Sequence, residues 1–148
     1  MVYLSMKKIK PVIARKIALD IDKETSLFLD GQSRICNRLW NDLIHKSRDL
    51  VKHYIIAKNN TDEEKAKDIA HILYNTNGLR NLVPAIKEAN PFFYQVYSSA
   101  LKNTARRVEK AIKAYQKQKV SNPKIRWPKF RAFKKRSSAL IWIEFFVS

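Results

Sequence analysis

The sequence predicts a mainly α-helical fold with a few β-strands. Of its 148 residues, 45% are hydrophobic, whereas only two are Gly and five are Pro, so little of the chain is left for loops. Apolar residues recur at helical steps through most of the chain and alternate only near its two ends. The length fits one domain, or one lobe of a larger protein.

The first element is a predicted strand. In residues 7–19, KKIKPVIARKIAL, isoleucines and lysines tend to occupy positions of opposite parity, a pattern typical of a half-exposed strand. Pro11 removes one backbone donor, which favours an edge position. Asp22 can then cap the start of a helix. Residues 1–22 are therefore expected to form an N-terminal strand unit.

Helices are expected over residues 23–120. Apolar spacing predicts a long helix over residues 23–58, in which a Gly favours an early bend. Thr61 and Glu64 form the capping box of a second helix, which an Asn-Gly pair ends. A short helix is predicted over residues 79–89.

The clearest helical pattern comes last. Asn90 is a natural N-cap and Pro91 a natural first residue of a helix that continues to about residue 119. Its predicted buried stripe consists of Phe93, Val96, Tyr97, Ala100, Leu101, Val108, Ala111, Ile112 and Tyr115.

Residues 121–148 are expected to form a basic turn and a returning strand, ALIWIEFFV at 139–147. Two strands rarely make an independently stable sheet. We therefore expect both predicted strands to join others, from a downstream portion or from a close partner chain.

Charge points to a polyanionic partner. The net charge is +17, and the residues from Asn90 onward carry fourteen Lys and Arg against two acids. Such self-repulsion is relieved by a polyanion, and phosphate contacts release counterions. Nucleic acid is favoured over an anionic membrane, because the most basic segment is irregular and contains Pro rather than a broad apolar helix face.

Other functional classes find little support in the sequence. His45, His53, His71 and the single Cys36 match no zinc spacing. Two glycines cannot build a Gly-rich phosphate loop. No catalytic residue, metal site or cofactor is therefore predicted. A lone Cys and the lack of a long apolar run favour a cytoplasmic protein without a membrane partner.

Three groups of residues suit nucleic-acid binding. The first, the basic ridge, falls at three- or four-residue steps along the last helix and could track phosphates, although a solvated helix face is the plain alternative. It consists of Lys102, Arg106, Lys110, Lys113 and Lys117.

The second group is the basic-aromatic segment, NPKIRWPKFRAFKKRSS at 122–138. Its cations are Lys124, Arg126, Lys129, Arg131, Lys134, Lys135 and Arg136, and its rings are Trp127, Phe130 and Phe133. The rings either anchor the segment or stack on unpaired bases. Anchoring is favoured for Trp127 and Phe130, with the cations as a backbone clamp.

The third group, the polar turn, lies where the last helix starts. It consists of Gln95, Ser98, Ser99, Lys102 and Asn103. Such side chains can contact base edges in a groove, and an ordinary helix surface is the alternative.

The order of these segments resembles the N-terminal half of the TnpB family of transposon-encoded RNA-guided nucleases and related compact type V CRISPR effectors. The first block, KIALDIDKETSLFLDGQSRICNRLWNDLI, carries Cys36, Arg38, Trp40 and Asn41. The others are NPFFYQVYSSALKNTARRVEKAIKAYQK and NPKIRWPKFRAFKKRSSALIWIEF.

The resemblance implies a helical recognition lobe inserted between strands of a wedge-like β-barrel. It also implies that guide RNA and target DNA are the partners, with the polar turn on a DNA motif and the basic-aromatic segment on RNA or heteroduplex backbone. The family's nuclease domain and its divalent metal ions would belong to a downstream domain or a nuclease-bearing partner chain, so no cleavage by this chain alone is expected.

Two other functions remain open from the residues. A stand-alone basic helical DNA-binding regulator or transposon accessory protein would place the last helix in a groove. An adaptor that docks on an acidic protein would also use the cations.

Overall fold

Helices account for all regular structure in the computed structural model, which describes residues 20–133. Its α-helices are α1 (Lys23–Asn59), α2 (Glu63–Tyr74), α3 (Val83–Ala89) and α4 (Ser98–Ser121). Short 3₁₀ helices at Arg80–Leu82 and Pro91–Gln95 precede α3 and α4. Residues 122–133 then continue without helix or strand.

The predicted fold class is wrong in its β part. Helices make up 77% of the described residues, which form no strand, sheet or barrel. The helices bury their apolar stripes against one another, so no sheet is needed to cover them. A helical lobe inserted in a wedge-like β-barrel is therefore not the fold observed. The predicted strands at 7–19 and 139–147 lie outside the described residues.

The helix α1 begins where the sequence predicts. Asp22 is its N-cap, and the Asp22 carboxylate accepts the backbone N–H of Thr25 at 2.7 Å. Hydrogen bonds from the side chain and from the backbone N–H of Thr25 hold the pKa of Asp22 below its usual value. The helix runs through Gly31 without a break.

The cap of α2 lies one residue later than the predicted capping box. Thr61 has a φ of 56° and forms the turn, whereas the Asp62 carboxylate accepts the N–H of Lys65 at 3.1 Å. The helix α2 ends at Tyr74 with an extended C-cap, Asn75, and the left-handed residue of the Asn-Gly pair is Asn77, in the turn that follows, with a φ of 68°.

The predicted single helix from Asn90 is two elements. The 3₁₀ helix Pro91–Gln95 ends at Val96, whose backbone is extended, and α4 starts only at Ser98. Asn90 makes no side-chain cap and instead donates to the carbonyl of Ile86 at 3.3 Å.

The core lies mainly between α1 and α4. Each helix contributes a stripe at three- and four-residue steps, as expected for amphipathic packing. The 3₁₀ helices and α3 close one end of it. The buried residues of this core are Leu39, Trp40, Leu43, Ile44, Leu79, Val83, Phe93, Val96, Leu101, Ala105, Val108 and Ile112. Five residues of the predicted stripe, Phe93, Val96, Leu101, Val108 and Ile112, are confirmed as buried.

A buried carboxylate ties α4 to the turn after α2. Glu109 is only 7% exposed. Its two oxygens accept the backbone N–H groups of Asn77 at 3.3 Å and Arg80 at 3.2 Å. These bonds satisfy donors at the start of the Arg80–Leu82 turn, which would otherwise lack partners.

The two glycines allow a matched test of this packing. A Cβ at Gly78 would overlap the carbonyl oxygen of Ile72, whereas a Cβ at Gly31 would meet nothing within 4 Å. Gly78→Ala should therefore lower the free energy of unfolding by about 1–3 kcal/mol or more. Gly31→Ala, within α1, should raise it by about 0.5–1 kcal/mol. Urea unfolding followed by circular dichroism measures both, and equal effects of the two substitutions would contradict the packing of the turn.

Candidate nucleic-acid interface

The basic ridge forms one exposed face of α4. Its five side chains are all exposed, and at 100° per residue they fall within about 80° of one another around the helix. From Lys102 to Lys117 the ridge extends about 22 Å at 1.5 Å per residue. At 3.4 Å per phosphate along one strand, that length spans on the order of six phosphates.

No carboxylate neutralises the basic ridge within the described structure. Glu109, the one acid in α4, is buried against the turn after α2 and bonded to backbone N–H groups there. The ion pairs found among residues 20–133 lie on α1 and at the start of α2, for example Arg38–Asp42 and Lys58–Glu63. Lys113 donates to the hydroxyl of Thr76 at 3.1 Å, so this edge of the ridge borders the turn after α2. The ridge is therefore positively charged throughout.

The described part of the basic-aromatic segment lies along α1. The indole N–H of Trp127 donates to the Ser47 hydroxyl at 3.0 Å, and that of Trp40 donates to the Lys129 carbonyl at 3.1 Å. The amide of Asn41 accepts the backbone N–H of Arg131 at 2.8 Å and donates to the Arg131 carbonyl at 3.0 Å. These side chains supply hydrogen bonds that a neighbouring strand would otherwise provide.

The described part of the basic-aromatic segment is as long as the stretch of α1 that it contacts. Between Trp127 beside Ser47 and Phe133 beside Arg34, an extended segment advances about 20 Å at 3.3 Å per residue. The same stretch of α1 is about 20 Å long at 1.5 Å per residue. An extended chain can therefore contact successive turns of α1 without slack.

The rings of the basic-aromatic segment pack onto the helices, as favoured for Trp127 and Phe130. Trp127 meets the Tyr115 ring edge-on, with 5.0 Å between centroids. The guanidinium of Arg48 lies 4.4 Å from the centre of Phe130, and that of Arg34 lies 4.7 Å from the centre of Phe133. Each phenyl ring thus has one face covered by an arginine, and Phe130 remains 48% exposed.

The cations of this segment differ in their surroundings. Lys124, Arg126 and Lys129 are exposed. The Arg131 guanidinium stacks 3.5 Å above the Trp40 ring. Desolvation there, with a smaller contribution from the charge of Arg107, lowers the pKa of Arg131. Lys134, Lys135 and Arg136 lie outside the described residues.

The basic ridge and the basic-aromatic segment lie on different sides of α4. Lys113 contacts the turn at Thr76, whereas Tyr115 contacts Trp127. Positions 113 and 115 are about 200° apart around a helix. Thr76 and Trp127 therefore contact different sides of α4, and the exposed Arg107, whose charge acts on Arg131, lies between the basic ridge and Tyr115 around the helix.

The polar turn is exposed throughout and adjoins the basic ridge. Ser99 precedes Lys102 by one helical turn, so its hydroxyl lies on the same side of α4. The Ser98 hydroxyl accepts from the Lys87 ammonium at 3.4 Å. At Gln95 the backbone carbonyl accepts the side-chain amide of Gln32 at 2.9 Å, which ties this turn to α1.

Sequence analysis missed a group of exposed rings, which we term the aromatic step. It consists of Phe92, Tyr94 and Tyr97, with exposed fractions of 37%, 61% and 79%. Tyr97 had been predicted in the buried stripe, and that prediction is wrong. The missed signal is the three-residue step from Phe93 to Val96, which favours a 3₁₀ turn that buries those two side chains.

Other chemistry finds no support in the described part of the chain. No three His, Cys, Asp or Glu side chains among residues 20–133 group to hold a metal ion. Burial raises the pKa of the Cys36 thiol, which disfavours its reactive thiolate form. Of the helices in that range, none combines the length and apolarity needed to cross a membrane.

Comparison with known proteins yields no relative: no protein-family model matches the chain, and no curated protein or solved structure is significantly similar to it.

The two-point contact of Asn41 allows a test of how the basic-aromatic segment is held. Asn41→Ala removes two hydrogen bonds to Arg131, each worth about 0.5–1.5 kcal/mol. Local release of residues 129–131 should then speed trypsin cleavage after Lys129 and Arg131 on the order of tenfold, since cleavage follows local opening.

The control for this test is Asp42→Ala, which removes only the ion pair with the exposed Arg38 at 3.0 Å. Such pairs contribute little, so cleavage should stay near the wild-type rate. Equal cleavage rates in wild type and Asn41→Ala would show that Asn41 does not hold the segment.

Proposed function

We propose that this protein binds nucleic acid, with the sugar-phosphate backbone lying along the basic ridge. The observation that carries the proposal is the ridge itself: five exposed cations along α4 with no carboxylate at ion-pair distance in the described structure. Ordinary solvated helix faces mix both signs, as α1 and α2 do here. A one-sign ridge of this length suits a polyanion.

The expected salt dependence gives the proposal a magnitude. Five phosphate contacts on a duplex predict a slope of log affinity against log salt of about −4.5. Raising salt from about 50 to 200 mM should then weaken binding on the order of 500-fold. A partner bound mainly through apolar surface would show a much smaller loss of affinity over the same range of salt.

The finer proposal places the chain in an RNA-guided system. We propose that it serves as a recognition module for guide RNA and target DNA, of the TnpB or compact type V kind, with cleavage left to a nuclease-bearing chain or domain. Two blocks of the sequence resemblance contact each other, because Trp40 and Asn41 of the first hydrogen-bond the backbone at Lys129 and Arg131 of the third. This contact supports the finer proposal, and the binding proposal stands without it.

Neutralising the basic ridge should weaken binding and flatten its salt dependence. The variant Arg106→Gln/Lys110→Gln/Lys117→Gln removes three exposed cations. Fluorescence anisotropy on a labelled duplex should show the slope of log affinity against log salt falling in magnitude by nearly three, since each phosphate contact contributes about 0.9.

The matched control removes the same charge from other helices, with Lys46→Gln/Lys65→Gln/Lys67→Gln on the exposed surfaces of α1 and α2. This control variant should keep most of the wild-type slope of log affinity against log salt. If both triple variants lose slope equally, only net charge matters and the ridge is not the binding surface.

The nucleic acid that copurifies tests the finer proposal. Protein purified at low salt should carry RNA, and sequencing should reveal one discrete species with a constant scaffold region. A heterogeneous mixture of host RNA would argue against the guided function and leave general binding in place. Protein free of nucleic acid at low salt would argue against both.

A further inference from the structure

The aromatic step is an exposed apolar surface built on a fixed backbone. Phe93 is fully buried and Val96 is 4% exposed, so the turn is anchored in the core from within. The hydrogen bond from Gln32 to the Gln95 carbonyl holds the turn from outside. Tyr94 lies between the two buried residues, Phe92 and Tyr97 flank them, and all three rings are left in solvent. Exposed apolar rings close together in sequence are candidates for a contact site.

A lysine lies beside the aromatic step. The Lys87 ammonium lies 4.6 Å from the centre of the Tyr94 ring and 3.4 Å from the Ser98 hydroxyl, so it links Tyr94 to the start of α4. Lys102 follows Tyr97 by five residues, about 7.5 Å along the helix axis and about 140° around it. Between residues 89 and 108 the sequence has no acidic side chain. Glu88, on α3, is one residue from Lys87 and about 100° around the helix from it.

Exposed rings followed along the chain by exposed cations suit the binding of a single strand of nucleic acid. Unpaired bases offer aromatic faces that stack on tyrosine, whereas the bases inside a duplex are already stacked on one another. Phosphates of the same strand need cations a few ångströms away, and the basic ridge continues from Lys102 along α4. An acidic peptide would use the cations but would leave the rings without partners.

We propose that the aromatic step is a stacking site for unpaired bases of single-stranded RNA or DNA, whose phosphates pass over Lys87 and onto the basic ridge. This inference rests on the proposed nucleic-acid binding and names the form of the ligand. Tyr94 and Tyr97 carry the stacking, and Phe92 borders them. Base identity matters little to such a site, since every base has an aromatic face.

A double variant tests the stacking. Tyr94→Leu/Tyr97→Leu keeps apolar bulk and every charge while it removes both exposed rings. Binding is measured by fluorescence anisotropy on labelled strands about twelve nucleotides long: oligo(rU), oligo(dT) and an abasic strand with the same backbone. Affinity for the two base-bearing strands should fall on the order of tenfold or more. Affinity for the abasic strand should not change.

The matched control is Tyr94→Phe/Tyr97→Phe, which keeps both exposed rings and removes only their hydroxyl groups. It should bind all three strands as wild type does. A similar fractional loss on oligo(rU) and oligo(dT) supports stacking for either sugar, and a loss confined to one of them would overturn a site that reads only base faces.

Two further outcomes would overturn the stacking site: unchanged affinity of the double variant, or an equal loss on the abasic strand. Failure of the proposed function is distinct from these, because wild-type protein would then bind none of the strands at low salt. Both substituted tyrosines are exposed, so the double variant should unfold at the same urea concentration as wild type. A lower urea midpoint, together with an equal loss of affinity for all three strands, would count against the proposal.

Discussion

The packing of α1 against α4 is the contact on which the rest of the structure depends. Leu39 and Leu43 on α1, with Leu101 and Val108 on α4, are fully buried and fix the rotation of α4 about its own axis. Once that rotation is set, every other position on α4 has a determined direction. Glu109 reaches the turn after α2, Tyr115 reaches Trp127, and the cations of the basic ridge are left exposed to solvent, with Lys113 also contacting Thr76.

Charge is divided between helices as a result of this arrangement. The ion pairs of the described residues are intrahelical or near-neighbour pairs on α1 and α2, where acids stand three to five residues from their partners. On α4 the single acid, Glu109, instead binds two backbone N–H groups. Internal hydrogen bonding thus leaves the outer face of α4 without an ion-pair partner among the described residues.

The basic-aromatic segment shows how an extended chain can be held without a sheet. Asn41 and Trp40 hydrogen-bond its backbone, while arginines from α1 cover Phe130 and Phe133. Phe130 remains 48% exposed in spite of this packing. The aromatic step places further exposed rings beside the start of α4.

Sequence by itself determined the helical character, the cap at Asp22, the left-handed conformation of Asn77 in the turn after α2 and the grouping of the basic ridge, because these follow from local propensity and a 3.6-residue period. It did not determine the break after Val96, the exposure of Tyr97, the cap at Asp62 or the inward turn of Glu109. Those features are decided by what each side chain meets across the fold: Phe93 and Val96 enter a core built by distant helices, and Glu109 finds its donors 29 and 32 residues away. The prediction of a wedge-like barrel was wrong for the same reason. Alternating residues near the two ends of the chain do not show whether the helices between those ends need a sheet to cover them, and here the helices cover one another.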